Sequence, residues 1–250
     1  MRPFNYSDYE SRLVDRDYIR MLQRPRVRFF KDCKKVLDLG CGIGIFLELL
    51  KEEGLEAVGV DRNEAIVEKA CRKGLHVIHS DLFDYLHQTG EEYDGIFCSH
   101  LLEHLPFEEV TRLVEAIAMR LLPGGTVVFV LPNPGSIRLH LFGFWRDPEH
   151  IRFYTGNLIA SVCQHYGLKV EYSNEEETPN QLETPRLEPL SLSPSDPGWK
   201  GILRGKKERE FLLQKFNKQI DAFNQKMERF SEVLNKIWSR DDEVVLVLRK

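Results

Sequence analysis

Nowhere in these 250 residues is there an apolar run long enough to span a bilayer, a CxxC pair or a strong net charge. A membrane-crossing helix needs about 20 consecutive apolar residues, and the opening Met1-Arg2-Pro3-Phe4-Asn5 turns polar within a few positions. Neither a signal peptide nor a transmembrane segment is expected, and the predicted location is cytoplasmic. The five cysteines, Cys33, Cys41, Cys71, Cys98 and Cys163, are scattered and odd in number, so they read as reduced thiols rather than a disulfide framework. A formal charge of −4 and a pI near 6.1 exclude the broad basic field that nucleic acid or an anionic membrane would require of a partner surface.

What is present is a 42% apolar composition, enough to bury one full core with an appendage. Short apolar runs alternate with helix-like stretches: Val36–Leu39, Ala57–Val60, helix 63–73, His76–His79, helix 82–87, Gly95–Cys98, helix 107–121 and Thr126–Leu131. That rhythm predicts a doubly wound α/β sheet with its strands buried on both faces. Helix 155–166, a strand at Leu168–Tyr172 and a closing strand at Glu243–Leu248 follow, the last two suited to an antiparallel edge.

The expected organisation is an N-terminal helical segment at 1–34, with a helix over 12–30, and a main domain at 35–174 plus 241–250. A linker at 175–204 carries Pro179, Pro185, Pro189, Pro194 and Pro197, and a long helix covers 205–240. Phe216, Ile220, Phe223, Met227, Phe230, Leu234 and Ile237 recur at alternating steps of four and three, a heptad seam. Such a helix is roughly 50 Å long at ~1.5 Å per residue. Two readings stay open: it folds back on its own domain, or residues 212–237 join a second copy or a helical partner.

Gly40-Cys41-Gly42-Ile43-Gly44 joins the first strand to a helix. Glycines let the backbone turn tightly and let a ligand come close to it. The dinucleotide fingerprint GxGxxG is not met: counted from Gly40 the sixth position is Ile45, and from Gly42 it is Leu47. Asp38, two residues before the turn, is near enough to face a cationic amino group or sulfonium. Asp61 ends the second strand about twenty residues on, where a carboxylate accepts ribose hydroxyls. Asp81 follows the third strand, placed for an adenine amino group, with Leu82 against the ring. Asp61 and Asp81 are also suited to capping the helices that follow them.

The run Val36-Leu37-Asp38-Leu39-Gly40-Cys41-Gly42-Ile43-Gly44, then Val60-Asp61, then Leu121-Leu122-Pro123-Gly124-Gly125, resembles the class I methyltransferase superfamily over residues 35–172 and the final strand. The resemblance implies S-adenosylmethionine as methyl donor and a Rossmann-like seven-stranded sheet whose last strand is antiparallel. It also implies a donor site of Arg16, Asp38, Gly40, Cys41, Gly42, Gly44, Asp61, Asp81, Leu82, Ser99 and His100, with Arg16 reaching the donor's carboxylate. Phe46-Leu47-Glu48-Leu49-Leu50-Lys51-Glu52-Glu53-Gly54, Glu103-His104-Leu105-Pro106-Phe107, Pro132-Asn133-Pro134 and Asp147-Pro148-Glu149-His150-Ile151-Arg152 are further similar to polysaccharide methyltransferases of the O-antigen chain-terminating type. There the last motif would continue with proline; here Phe153 follows.

Methyl transfer from a sulfonium is an in-line displacement, so alignment dominates and no metal is expected. A neutral hydroxyl acceptor must lose its proton, and His104 and His150, in the loops after the fourth and fifth strands, are the expected bases. A loop-structuring role is the alternative for both, and an acceptor oxygen that belongs to a phosphate would need no base. Asn133, Arg146 and Arg152 are expected to meet the acceptor, and the basic excess of loop 138–152 suits a small molecule or glycan carrying phosphate or carboxylate. In the same loop Leu139, Leu141, Phe142, Phe144 and Trp145 are expected to pack beneath it. An amino-methyltransferase of nucleic acid would place Asn/Asp-Pro-Pro-aromatic where this chain has Cys98-Ser99-His100-Leu101. A non-catalytic donor-binding scaffold built around the long helix is the other alternative.

Overall fold

The computed structural model describes residues 15–175, 206–238 and 241–250. Residues 15–175 with 241–250 form one compact unit, and the long helix belongs to another. The first fourteen residues and nearly all of the expected Pro-rich linker lie outside the described residues.

Helix α1 (Arg16–Gln23) begins at Asp15, whose side chain accepts from the Tyr18 N–H, and gives way to a 3-10 segment at Arg24–Phe30. The single helix expected over 12–30 is therefore interrupted. Pro25 is the cause, because it offers no N–H and crowds the preceding turn. The 3-10 segment drives Phe30 into the core, edge-on to Phe46 at 5.7 Å and to Phe97 at 6.1 Å.

The chain then runs β1 (Lys35–Leu39), α2 (Ile45–Glu52), β2 (Glu56–Asp61), α3 (Glu64–Arg72), β3 (Val77–His79), α4 (Leu82–Gln88), β4 (Tyr93–Ser99), α5 (Phe107–Arg120), β5 (Leu121–Pro132), α6 (Gly156–His165), β6 (Lys169–Ser173) and β7 (Glu243–Arg249). Seven strands form one sheet in the order β3-β2-β1-β4-β5-β7-β6. β1 to β5 are parallel; β7 runs antiparallel to both β5 and β6. This is the Rossmann-like sheet expected from the motif at 36–61.

Strand periodicity assigns each side chain to a face. Val127, Phe129 and Leu131 of β5, with Val244, Leu246 and Leu248 of β7, meet α5 and α6. Val128 and Val130, with Val245 and Val247, meet α2 and the 3-10 segment. α5 buries Val110, Leu113, Val114 and Ile117, the i, i+3, i+4, i+7 stripe of a helix lying on a sheet. On the other face Phe46 of α2 stacks on Phe97 of β4 at 3.7 Å.

Order reverses between β1 and β4, so the crevice of an open α/β sheet opens above their carboxyl ends. Because β7 is antiparallel, its first residue, Glu243, also arrives at that end. The second unit contains α7 (Lys206–Trp238), the expected long helix. Its seam positions Phe216, Phe223, Met227 and Leu234 are exposed. Among the described residues no helix is long and apolar enough to cross a membrane.

Candidate active site

The glycine turn leaves β1 with Gly40, Gly42 and Gly44 all at positive φ. At Gly44 space is also decisive: a Cβ there would lie 2.5 Å from a methyl of Leu75. Gly42 faces open space, with nothing within 4 Å of the Cβ position. The turn's own donors are spent internally. Gly40 and Cys41 N–H groups go to the Val60 carbonyl at 2.9 and 3.1 Å, and Gly44 N–H to the Cys41 carbonyl at 3.0 Å. Gly42 N–H goes to Asp61 Oδ2 at 2.9 Å. What the turn offers a ligand is therefore a bare surface beside the first N–H groups of α2.

Asp38 and Asp61 flank that surface from adjacent strands, Asp38 opposite Gly59 and Asp61 at the end of β2. Burial, reinforced by the negative charge of Asp61, pushes the Asp38 carboxyl up to about 8. It is 3% exposed and has no side-chain hydrogen bond among the described residues. Asp61 does not cap α3; that role falls to Asn63, whose side chain accepts from Ile66 N–H. Instead Asp61 braces both Gly42 and, through Oδ1, the Asn63 N–H at 2.8 Å, so its carboxylate is held where strand and turn converge. Asp81 does cap α4, accepting from Phe83 and Asp84 N–H groups, and Leu82 packs against the core.

Three expected donor-site side chains are placed differently. Arg16 is turned onto Glu48 of α2, one nitrogen, Nη2, donating to both carboxylate oxygens at 3.0 and 2.7 Å. The Cys41 side chain turns away from the crevice into a cluster with Leu47, Ala70, Leu75 and Val77. Burial drives its thiol well above the ordinary range, so only its backbone faces the turn. Ser99 ends β4 as expected, and His100 follows it at φ 51°, a strained backbone for a non-glycine residue. Both His100 ring nitrogens are bonded, Nδ1 to Glu103 at 3.1 Å and Nε2 to Glu243 at 2.9 Å. Against the desolvation that lowers it, these two carboxylates raise the imidazole to about 10.

Glu243 also accepts from Arg26 at 3.0 Å. His100 and Arg26 hold its carboxyl below the ordinary value even though burial opposes ionisation. The resulting chain, Arg26–Glu243–His100–Glu103, joins the 3-10 segment, β7 and the loop after β4. Sequence reasoning missed Glu103, Glu243 and Arg26. Glu103 adjoins an expected base and is 1% exposed; Glu243 lies 143 positions from His100, with no local pattern linking them.

On the acceptor side the two expected histidines meet. Backbone N–H groups of Ile151 and Arg152 both donate to the Glu103 carbonyl, at 2.8 and 3.4 Å. Tyr154, 2% exposed, donates its hydroxyl to the Leu105 carbonyl at 2.7 Å. These bonds fasten the loop after β5 onto the loop after β4 and bring the His104 and His150 rings to 4.7 Å, edge to face. His150 Nδ1 pairs with the Phe144 carbonyl at 2.6 Å. A carbonyl only accepts, so Nδ1 carries the hydrogen, while Nε2 faces Asp147 Oδ2 at 3.9 Å. Desolvation, joined by the neighbouring His150, lowers His104, although Glu103 pulls the other way. The same loop crosses the crevice: Glu149 pairs with Arg62, the residue after Asp61, at 2.8 Å. It thus reaches from β5 over the ends of β4 and β1 to β2.

The expected acceptor residues separate. Asn133 is a clasp, donating to the Asp241 carbonyl at 2.8 Å and accepting from Gly135 N–H at 2.8 Å. Arg146 is exposed on a short 3-10 turn, and Arg152 is exposed over the Tyr154 ring at 5.0 Å. Of the apolar residues expected beneath the loop, Phe144 is buried and stacks on Phe153 at 3.7 Å, whereas Leu141, Phe142 and Trp145 are exposed. The larger aromatic core of the loop is thus Phe144 with Phe153, and the outer three side chains are corrected to surface positions.

A sheet of this order with a glycine turn and acidic strand ends at its switch point defines the class I S-adenosylmethionine-dependent methyltransferases. A family model for a methyltransferase domain matches residues 9–173, and the chain belongs to that family. The crystal structure of a SAM dependent methyltransferase from Archaeoglobus fulgidus matches with a TM-score of 0.66 at 25% identity, covering 99% of this chain and 100% of that one. The plantazolicin methyltransferase BpumL in complex with SAH shares the fold, with a TM-score of 0.58 at 15% identity over 98% and 88% of the two chains.

Curated relatives include the ubiquinone biosynthesis O-methyltransferase of Erwinia tasmaniensis, 38% identical in an alignment of 112 positions that covers 41% of this chain and 44% of that protein. The protein of the same name from Stutzerimonas stutzeri is 33% identical in an alignment of 121 positions that covers 44% and 50% of the two chains. The chain spans about half the length of these relatives. They are named for ubiquinone biosynthesis, not for the polysaccharide chemistry that the motifs at 103–107 and 147–152 led us to expect.

The residues present fit a sulfonium donor. A buried, unbonded Asp38 carboxylate suits a cationic group, which restores its ionised form. Asp61, at the end of β2, suits the ribose, and the bare face at Gly42 leaves room for close approach.

Proposed function

We propose that this protein transfers a methyl group from S-adenosylmethionine to a hydroxyl of a small organic acceptor. S-adenosylmethionine supplies a sulfonium-activated methyl carbon that an acceptor oxygen displaces in line. Asp38 and Asp61 hold the donor's charged and ribose portions, and the Gly40–Gly44 turn gives it room. The acceptor lies under the 144–153 loop, where its hydroxyl proton is taken up at the His104–His150 pair. The exposed guanidinium groups of Arg146 and Arg152 at the loop's rim suit an acceptor that carries an acidic group, such as a carboxylated phenol or a phosphorylated sugar.

The observation that carries this reading is the meeting of His104, from the loop after β4, with His150, from the loop after β5 that Glu149 and Arg62 strap across the crevice. A scaffold that only bound the donor would have no use for two imidazoles gathered there from different loops. The test is turnover of labelled S-adenosylmethionine with phenolic quinone precursors, sugars and phosphoglycans. Label is expected in an ether-linked methyl group of one class. Donor binding without transfer to any of them would favour the scaffold.

A further inference from the structure

Glu103, His104 and His150 are drawn together more closely than proton transfer alone requires. One carboxylate oxygen and one nitrogen from each ring all lie within 4.8 Å of one another, the only such group of three potential metal ligands among the described residues. Glu103 Oε1 accepts from His100, but Oε2 is fully enclosed and has no hydrogen-bond partner. A buried carboxylate oxygen left without a donor is costly, and none of the described residues supplies one.

We propose that Glu103, His104 and His150 hold a divalent transition-metal ion of the zinc class, and that the acceptor's oxygen takes its open position. This rests on the O-methyl transfer proposed above and revises its proton step: with an ion bound, the two imidazoles are ligands rather than bases, and they act on the hydroxyl through the ion. Two imidazoles and one carboxylate are the donor set of three-ligand catalytic zinc sites, which keep a fourth position for water or substrate. Imidazole nitrogen favours such an ion over magnesium or calcium, which take oxygen ligands.

The surroundings are those of ligating side chains. His150 gives its Nδ1 hydrogen to the Phe144 carbonyl, the kind of backbone contact that orients a ligating imidazole, and this leaves Nε2, 3.9 Å from Asp147 Oδ2, as the ligand atom. Glu103 is steadied through its other oxygen by His100, which Glu243 holds in turn. Neither ring nitrogen of His104 has a hydrogen-bond partner among the described residues. Ligand atoms around one ion at about 2.1 Å sit roughly 3.4 Å apart in a tetrahedron. Closing from the present spacing takes a movement on the order of 1 Å, shared among three side chains. An ion there lowers the pKa of a bound hydroxyl, as it does that of bound water. The proton leaves to solvent and the oxygen stays ready to attack.

The test uses the full chain stripped with a chelator and titrated with Zn2+ by calorimetry, and with Co2+ by its visible absorption. One ion per chain is expected, with Mg2+ failing to compete. His104→Ala and His150→Ala should each weaken binding by at least ~10-fold while keeping donor-dependent thermal stabilisation, which shows that they fold. Glu103→Gln should weaken it likewise. Absence of one-to-one binding overturns the proposal, as does binding unchanged in the His104→Ala/His150→Ala double variant or Mg2+ binding as tightly as Zn2+.

The activity assay separates the two inferences. If the ion binds through these residues and no acceptor is methylated, the site stands and the O-methyl reading falls. If stripped enzyme methylates its acceptor at full rate in chelator, the reading stands and the metal proposal falls.

Discussion

The two halves of the crevice are assembled differently. The donor half, from Asp38 to Asp81, lies within 44 consecutive residues, and each functional group sits at a strand end or in the turn that follows it. The acceptor half joins Arg26, His100, Glu103, His104, His150 and Glu243, which lie in four separate stretches of chain. Local geometry holds the first together; long-range hydrogen bonds hold the second. The donor half should therefore respond to backbone changes at single positions, and the acceptor half to cuts in its ties.

The largest effect is expected from the histidines. His104→Ala and His150→Ala should cut methyl transfer by about 10²-fold or more and leave donor affinity within a few-fold. Single-turnover kinetics beside donor titration checks this, and parallel loss of both would break the division between the halves. Next is Gly44→Val, which combines a left-handed backbone with a clash at Leu75. A loss of roughly 3 kcal/mol is expected from strain and overpacking together, read by urea denaturation. Stability unchanged within error would remove the steric account of the turn.

Asp61→Ala should abolish donor-dependent thermal stabilisation, whereas His150→Ala should retain it; equal stabilisation of both variants would erase the contrast. Asp38 adds a pH dependence. Its carboxyl is raised to about 8 in the folded protein, so between the ordinary carboxylate range and pH 8 the native state binds the proton that the unfolded state has lost. Folding stability thus declines as pH rises through that window. A cationic donor favours the ionised form, so donor affinity should rise with pH, by up to about tenfold per unit, and level off above pH 8. Asp38→Asn should flatten both trends, as measured by denaturation and donor titration across pH 5–9; a slope surviving in the variant would assign it to another group.

The smallest effect is expected from Arg62→Ala. The Arg62–Glu149 pair is exposed on both sides, and such a pair contributes at most about 1 kcal/mol to stability. Its loss should instead raise the KM for the acceptor more than it lowers kcat, because it frees the strap and leaves the chemistry in place. A change confined to donor binding would relocate the strap's role to the donor half.

Much of the donor half was legible because strand, turn and helix specify it within one βαβ unit. The spacing of Gly40, Gly42 and Gly44 from Asp38 and Asp61 is a covalent distance, and parallel pairing brings it into register. Side-chain direction was less legible. Cys41 turns inward because Gly59 leaves it space beneath the turn, and Arg16 goes to Glu48 because α1 lies along α2. On the acceptor side both histidines were recognisable as chemistry-bearing residues. Their encounter depends on Ile151 and Arg152 reaching the Glu103 carbonyl, a contact with no signature in spacing.

The sequence by itself determined the class of sheet, which follows from hydrophobic period and turn chemistry a few residues apart, and its resemblance to the class I methyltransferases implied the antiparallel return of the last strand. Only the tertiary structure decided which carboxylates are paired and which are left bare. It bonded Asp61 to its turn, left Asp38 unbonded, tied His100 between two glutamates and enclosed one oxygen of Glu103 beside two imidazoles. Those outcomes depend on desolvation and on contacts across up to 143 positions, and both arise only when the sheet closes over its core.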